Sequence, residues 1–346
     1  MRRARKLDAE KLLRVLLLHL ADGCSLRETA VRAKVGKLAD VSDVALLKRL
    51  RHAGEWLRWL AEGLMRGCVL QRPEGIFGKL RVRLIDATTV EEPGSTGSTW
   101  RIHYAVELPA LRCDEVHVTG VEAGETFRRF AVQPKDVFMG DRGYAQPQGI
   151  AHVVGAGGDV LVRLNLTNVP LLDGRGQPWD LLAHLRGLRA AAVGDWDVWV
   201  CGPDGKRIAG RLCAVRKSQE AAEKAQRRLL REARKKKRRV RPETLEAAQY
   251  VFVFTTLARN VLGSVQVLEA YRGRWQIELA FKRLKSLLAL GHLMKKDPEG
   301  ARAWIHGKLV VAFLIETLIL AGERFFPWGY PLSSSLGEAP LCLEGN

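Results

Sequence analysis

One stretch, YRGRWQIELAFKRLKSLLAL from Tyr271 to Leu290, constrains this chain more than any other. A helix advances about 100° per residue, which brings Tyr271, Arg274, Glu278 and Lys285 within roughly 60° of one another. Ile277, Ala280, Phe281, Leu284, Leu287 and Leu288 gather on a separate apolar face, the one a core would take. The spacing thus predicts a single helix, packed on one side and displaying a phenol, a guanidinium, a carboxylate and an ammonium on another. Ordinary i,i+4 charge pairing on a solvated helix accounts for the same residues. A carboxylate flanked by cations is also what a site needs if it must hold both a metal ion and phosphates.

Two further stretches favour the site. RVRLIDATTV (Arg81 to Val90) is a β-branched run with Asp86 inside it. KDVFMGDRGYA (Lys135 to Ala145) is a short apolar strand ending at Asp141, with Gly143 marking a turn just beyond it. An Asp within or at the end of an apolar strand is costly unless paired or metal-bound. With these residues in place the chain resembles a DDE transposase of insertion-sequence family 4, the group with the Tyr-(2)-Arg-(3)-Glu-(6)-Lys signature. Tyr271, Arg274, Glu278 and Lys285 match that signature, Asp86 to Thr88 match a strand-borne DxT, and Asp141 to Tyr144 match DRGY. The resemblance runs from about Leu26 to Trp328 and keeps the order Asp, Asp, Glu.

What the resemblance implies is specific. The fold class is α+β or α/β: a ribonuclease H-like core with a mixed sheet, interrupted by a β-rich insertion and preceded by a helical region. The activity is metal-dependent DNA strand cleavage and strand transfer at the ends of an insertion sequence. Asp86, Asp141 and Glu278 are then the catalytic carboxylates and the ligands of two Mg²⁺ ions, with Mn²⁺ able to substitute. Tyr271, Arg274, Lys285 and Arg142 are the phosphate-binding candidates. The expected partner is double-stranded DNA, both element ends and target, bound by a homodimer. Two other readings use the same residues: a catalytically impaired DNA-binding protein derived from such an enzyme, and a metal-dependent nuclease without strand transfer.

Charge agrees with a polyanionic partner. Fifty-six Lys and Arg against 38 Asp and Glu give a formal charge of +18, which nucleic acid or an anionic membrane could balance. The longest apolar run, Leu309 to Ile315 and on past Glu316 to Ala321, reads as too short to span a bilayer. The opening MRRARKLDAEKLL is basic and then amphipathic, unlike a signal peptide. Six cysteines without zinc spacing read as reduced thiols in a cytoplasmic protein, and the resemblance implies a bacterial, nucleoid-associated one. His103, His117 and His292 fit no metal spacing.

In chain order, residues 1–75 read as a helical DNA-binding region. Ser25 and Glu28 suggest a capping box, and Ser42 or Asp43 caps a helix that turns Leu46, Leu47, Leu50 and Trp56 inward. This suits a helix-turn-helix as well as a plain bundle. Residues 76–150 read as the first half of the core: RVRLIDATTV, WRIHYAVEL and EVHVTGVEA are strands, with a hairpin loop from Gly94 to Thr99. Residues 151–248 read as the insertion, with strands in DVLVRLN, WDVWVCG and KRIAGRLCAVRK and core tryptophans at 179, 196 and 199. Its charged helix, Ser218 to Arg241, either follows a DNA backbone or is simply solvated. Residues 249–328 resume the core with the strand YVFVFTTL and a helix in WIHGKLVVAFLIETLILAGERF. Residues 329–346 read as a short tail.

Overall fold

The computed structural model of the protein describes residues 7–67, 78–94, 99–189, 192–291, 293–294 and 297–325. His292 and the tail lie outside them, as does most of the 94–99 loop.

Four helices come first: α1 (Ala9–Leu20), α2 (Leu26–Val35), α3 (Asp43–His52) and α4 (Gly54–Gly67). Short polar side chains start the first three by accepting orphan backbone N–H groups: Asp8 from Lys11, Ser25 from Glu28 and Ser42 from Ala45. Glu28 also pairs with Arg32, at 2.8 Å. The stretch that reads as one helix from Ser42 onward is two, because α3 closes at His52 and α4 begins at Gly54. Trp56 is therefore on α4 and only half-buried. Val15, Ala33 and Leu46 tie α1, α2 and α3 into a small cluster of their own.

Next come β1 (Arg81–Val90), β2 (Trp100–Glu107), β3 (Arg112–Gly120), a 3₁₀ turn (Phe127–Arg129), β4 (Asp136–Gly140), α5 (Pro147–Gly155) and β5 (Asp159–Arg163). They are followed by β6 (Leu171–Leu172), α6 (Leu181–Arg186), β7 (Val193–Cys201), β8 (Arg207–Arg216), α7 (Gln219–Lys235), α8 (Pro242–Ala247) and β9 (Tyr250–Thr255). After the sheet come α9 (Ser264–Arg272), a second 3₁₀ turn (Gly273–Trp275), α10 (Gln276–Ser286) and α11 (Pro298–Phe325). The strands form one mixed sheet in the order β3-β2-β1-β4-β5-β9-β8-β7-β6. The first three pair antiparallel, while β4 and β5 run parallel to β1. The β7–β8 hairpin continues the same sheet, because β8 pairs along the full length of β9.

Period-two alternation sends successive residues to opposite faces and so builds two cores. Leu84, Ile102, Met139 and Leu161 face one way, onto Ile277, Phe281, Trp304 and Leu309, and this cluster also takes in Leu16, Leu20, Leu50 and Leu57 of the opening helices. Ile85, Phe138, Val160 and Val162 face the other way, onto Phe127 and onto Ile150 and Val153 of α5. Trp179 and Trp196 pack on the edge of this second core, and Trp199 is half-buried. The apolar run that reads as short lies within α11, of 28 residues. Pro298–Gly322 is long and apolar enough to cross a membrane, with a mean hydropathy of 1.7, but 56% of its most apolar stretch is buried inside the protein.

Candidate active site

The parallel pairing of β1 with β4 brings the two aspartates together. Leu84 is in register with Met139, so two residues further on Asp86 stands level with Asp141 and on the same face. Local backbone donors orient both carboxylates: Asp86 Oδ1 accepts from the Ala87 N–H at 2.8 Å, and Asp141 Oδ1 from the Gly143 N–H at 2.7 Å. A Cβ on Gly143 would lie 3.1 Å from Asp141 Oδ1 and 2.6 Å from Glu125 Oε2, so both carboxylates close over its backbone.

Glu278 comes from α10, which packs on that face through buried Ile277, Phe281 and Leu284, and its carboxylate is 61% exposed and held by Arg274 rather than at the aspartates. The Phe281 ring lies 5.9 Å from that of Tyr104 on β2. The expected single helix is instead three pieces: Tyr271 ends α9, Arg274 lies in the 3₁₀ turn and Glu278 sits in the first turn of α10. The backbone stays right-handed throughout, so the polar residues remain neighbours although the periodicity is broken. α10 then stops at Ser286, which leaves Leu287 78% exposed rather than on the apolar face.

Arg274 is the hinge of the charge arrangement. Its Nη2 donates to Glu278 Oε1 at 2.7 Å and its Nη1 lies 3.4 Å from Asp86 Oδ2. Lys285, two turns beyond Glu278, is exposed, whereas Tyr271 is buried. Burial pushes the Asp86 carboxyl up to about 7; Asp141 and Glu125 add repulsion, while the Ala87 N–H and Arg274 pull the other way. Burial and then Asp141 likewise raise Glu125. Tyr144 is buried beside the same three carboxylates, and its hydroxyl has no hydrogen-bond partner among the described residues.

A group of cations adjoins this acidic centre. Gly140 is in register with Val162, so Arg163 stands level with Asp141 at the end of β5. Burial and the nearby Arg142 push Arg163 down to about 10. Burial, Arg163 and Arg142 push Lys217 down to about 8. Arg142 itself is exposed, with Tyr271, Asp141 and Glu232 of α7 among its electrostatic neighbours.

The acidic set fits a hard divalent cation in chemistry, because its donors are carboxylate oxygens whose mutual repulsion a cation would relieve. Among the described residues no three His, Cys, Asp or Glu side chains converge tightly enough to hold one ion. Arg274 stands between Asp86 and Glu278 and supplies the positive charge there. His103 and His117 turn instead to Thr119 and Glu115. Sequence reasoning missed Glu125, Arg163 and Lys217. Arg163 did carry a signal, as a charge closing an apolar strand just as Asp141 does. Glu125 carried none, since only the fold brings its loop over Gly143.

Comparison with known proteins shows the family to which the chain belongs. The family described as "Transposase DDE domain" matches residues 77–314, which include both aspartates and Glu278. The InsL protein of insertion sequence element IS186A, from Escherichia coli K12, is 38% identical over 92% of this chain and 87% of its own length. The transposase for insertion sequence element IS421, also from Escherichia coli, is 38% identical over the same shares. A shorter stretch, 20% of this chain, is 30% identical to the transposase for element IS1151 of Clostridium perfringens. With a family match across most of its length and relatives aligned almost end to end, the chain belongs to the DDE transposases.

Proposed function

We propose that this transposase cuts and rejoins DNA at the ends of its own insertion sequence, in a magnesium-dependent reaction centred on Asp86, Asp141 and Glu278. The observation that carries the reading is the level pair Asp86 and Asp141 on adjacent parallel strands, with Arg274 linking Asp86 to Glu278. The order β3-β2-β1-β4-β5, three antiparallel strands followed by two parallel ones, supports a ribonuclease H-like core. On that reading the insertion expected at 151–248 begins only after β5, because Asp159–Arg163 pairs with β4, and its part from β6 to α8 lengthens the core's sheet. The Tyr, Arg, Glu and Lys spacing supports membership of insertion-sequence family 4.

Asp86, Asp141 and Glu278 would hold two Mg²⁺ ions, or Mn²⁺ in their place. When bound, such ions supply activation of the attacking water or 3′-hydroxyl and neutralise charge on the leaving oxygen. For Glu278 to turn toward the aspartates, Arg274 must release it. The freed guanidinium, with its planar fork of donors, then grips a phosphate beside the reacting bond. The Tyr271 hydroxyl, Lys285 and the exposed Arg142 extend that grip along the strand. The largely buried surroundings of Tyr271 and Arg274 strengthen their contacts relative to water.

Double-stranded DNA is the partner, held also by α2 and α3 in helix-turn-helix fashion and by the basic end of α7. A homodimer would bring two ends together, in a bacterial cytoplasm and at the nucleoid. The test is incubation with Mg²⁺ and DNA carrying the element's own ends, products resolved by strand. Cleavage followed by joining supports the proposal. Cleavage without joining would mark a nuclease, and binding alone a catalytically impaired descendant.

A further inference from the structure

We infer that a groove on the far side of the catalytic turn is a second binding site for a DNA phosphodiester backbone, distinct from the row of Tyr271, Arg274 and Lys285. The inference rests on Asp141 being catalytic. The groove, about 460 Å³, lies between the loop after β3 and the start of α5 and is lined by Arg101, Glu125, Arg128, Arg129, Gly143 and Gln148, among others.

Its wall at Gly143 is shared with the catalytic centre. The Glu125 and Asp141 carboxylates approach the same point above the Gly143 backbone. A backbone lying in the groove therefore continues directly from a phosphate placed at Asp141. The two cation sets lie on opposite faces of the sheet. α10 packs with Leu84 and Met139, whereas Phe127, the first residue of the turn carrying Arg128 and Arg129, packs with Ile85 and Phe138. DNA crossing the catalytic edge would meet Arg274 and Lys285 on one side and the groove on the other.

The groove's arginines have donors to spare. Arg101 gives one Nη to the Ala123 carbonyl at 2.9 Å, and Arg128 reaches Gln148 Oε1 at 3.3 Å. The Nε atoms of Arg101 and Arg129 are buried without a hydrogen-bond partner among the described residues. With five N–H donors each and few acceptors among their neighbours, these guanidiniums bring positive charge to the groove that phosphate oxygens would balance. The positive field extends into the sheet, where burial and then Arg129 and Arg101 hold the His103 imidazole down to about 3. A plain solvated surface would not gather three arginines, two of them half-buried, around one opening.

The phosphodiester chain can come from the DNA flanking the element end beyond the cut, or from target DNA. The experiment uses the full chain and Arg128→Gln/Arg129→Gln, measuring the salt dependence of binding without metal on three duplexes: a flanked end, a pre-cleaved end and target DNA. Each phosphate that the variant no longer neutralises should flatten the slope of log K against log [salt] by about 0.9, hence by about 2 for this pair. Flattening on the flanked end alone assigns the groove to flanking DNA. Flattening on target duplex, with slower joining of pre-cleaved ends in Mg²⁺, assigns it to target. Unchanged slopes on all three overturn the inference. Thermal melts accompany each variant, and if the double variant melts early, exposed Arg128→Glu repeats the test with a larger expected weakening. Because binding is read without metal, a failure of the catalytic reading would appear separately, as wild-type protein that binds ends but never cuts them.

Discussion

Arg274 holds together two carboxylates that belong to different elements, so its removal should be felt at both. Arg274→Ala takes away a charge-assisted hydrogen bond and leaves Asp86 with Asp141 and Glu125 as its charged neighbours. Binding to cleaved ends should weaken about tenfold or more, in line with ~1.5–3 kcal/mol for hydrogen bonds to charged groups. An unchanged affinity in a titration with cleaved ends would leave Arg274 as a purely structural bridge. Asp86→Asn and Asp141→Asn should instead abolish strand cleavage while leaving end binding near wild type, because each change removes a ligand and no cation. Near wild-type cleavage by either variant, on labelled ends in Mg²⁺, would exclude that carboxylate from the chemistry. The positions proposed for these roles stand out in the sequence because each residue interrupts a pattern: Asp86 an apolar strand, Glu278 a row of cations. Glu125 interrupts nothing, and its position over Gly143 follows only from the chain's return across the sheet edge.

Elements were legible where their signal is local. β1 spans Arg81–Val90, the β-branched run itself, because alternation and β-propensity are properties of adjacent residues. The break at Gly273 to Trp275 and the early end of α10 escaped because a 3.6-residue period tolerates a tightened turn without losing its face. The pairing of β8 with β9, which makes one sheet of the core and the 164–248 segment, joins residues far apart in sequence and leaves no local mark. Two predictions belong to this scale. The charged helix expected to run to Arg241 ends at Lys235, and Lys235 to Arg239 are exposed where α7 runs out, so this basic stretch is free to meet DNA. Neutralising Lys235 to Arg239 should flatten the salt dependence of binding by up to about 0.9 for each phosphate left without its cation, and an unchanged slope would leave the run merely solvated. On β2, the buried His103 is held down to about 3, below an unfolded value of about 6.5. Between those values the unfolded chain binds the extra proton, so His103 contributes stability that is present above about 6.5 and lost as pH falls toward 3. Melting temperatures from pH 7.5 to 5 should therefore fall less steeply for His103→Gln than for wild type; parallel curves would show that other groups set the acid limit.

At the scale of the whole molecule, the charge of +18 has a distribution, with cations on both faces of one acidic edge. The opening helices are bound into the same structure: Leu16, Leu20, Leu50 and Leu57 share a core with the sheet and α11, and a Cβ at Gly307 would meet Leu20 at 2.5 Å. Deleting residues 1–67 should therefore strip α11 of apolar cover and yield an aggregating or early-melting protein. A soluble remainder with an unchanged melt would show the helices to be a detachable unit. The central claim is that Asp86, Asp141 and Glu278 form one catalytic set, and Glu278→Gln tests it most directly, since Glu278 is exposed and its loss should cost no more than about 0.5 kcal/mol of stability. With Mg²⁺ and duplexes carrying the element's own ends, wild type should cut, whereas Glu278→Gln should bind those ends and melt as wild type does yet produce no cleaved strand. Cleavage by Glu278→Gln at the wild-type rate, or its unfolding, would make the contact between Arg274 and Glu278 a structural salt bridge and contradict the account.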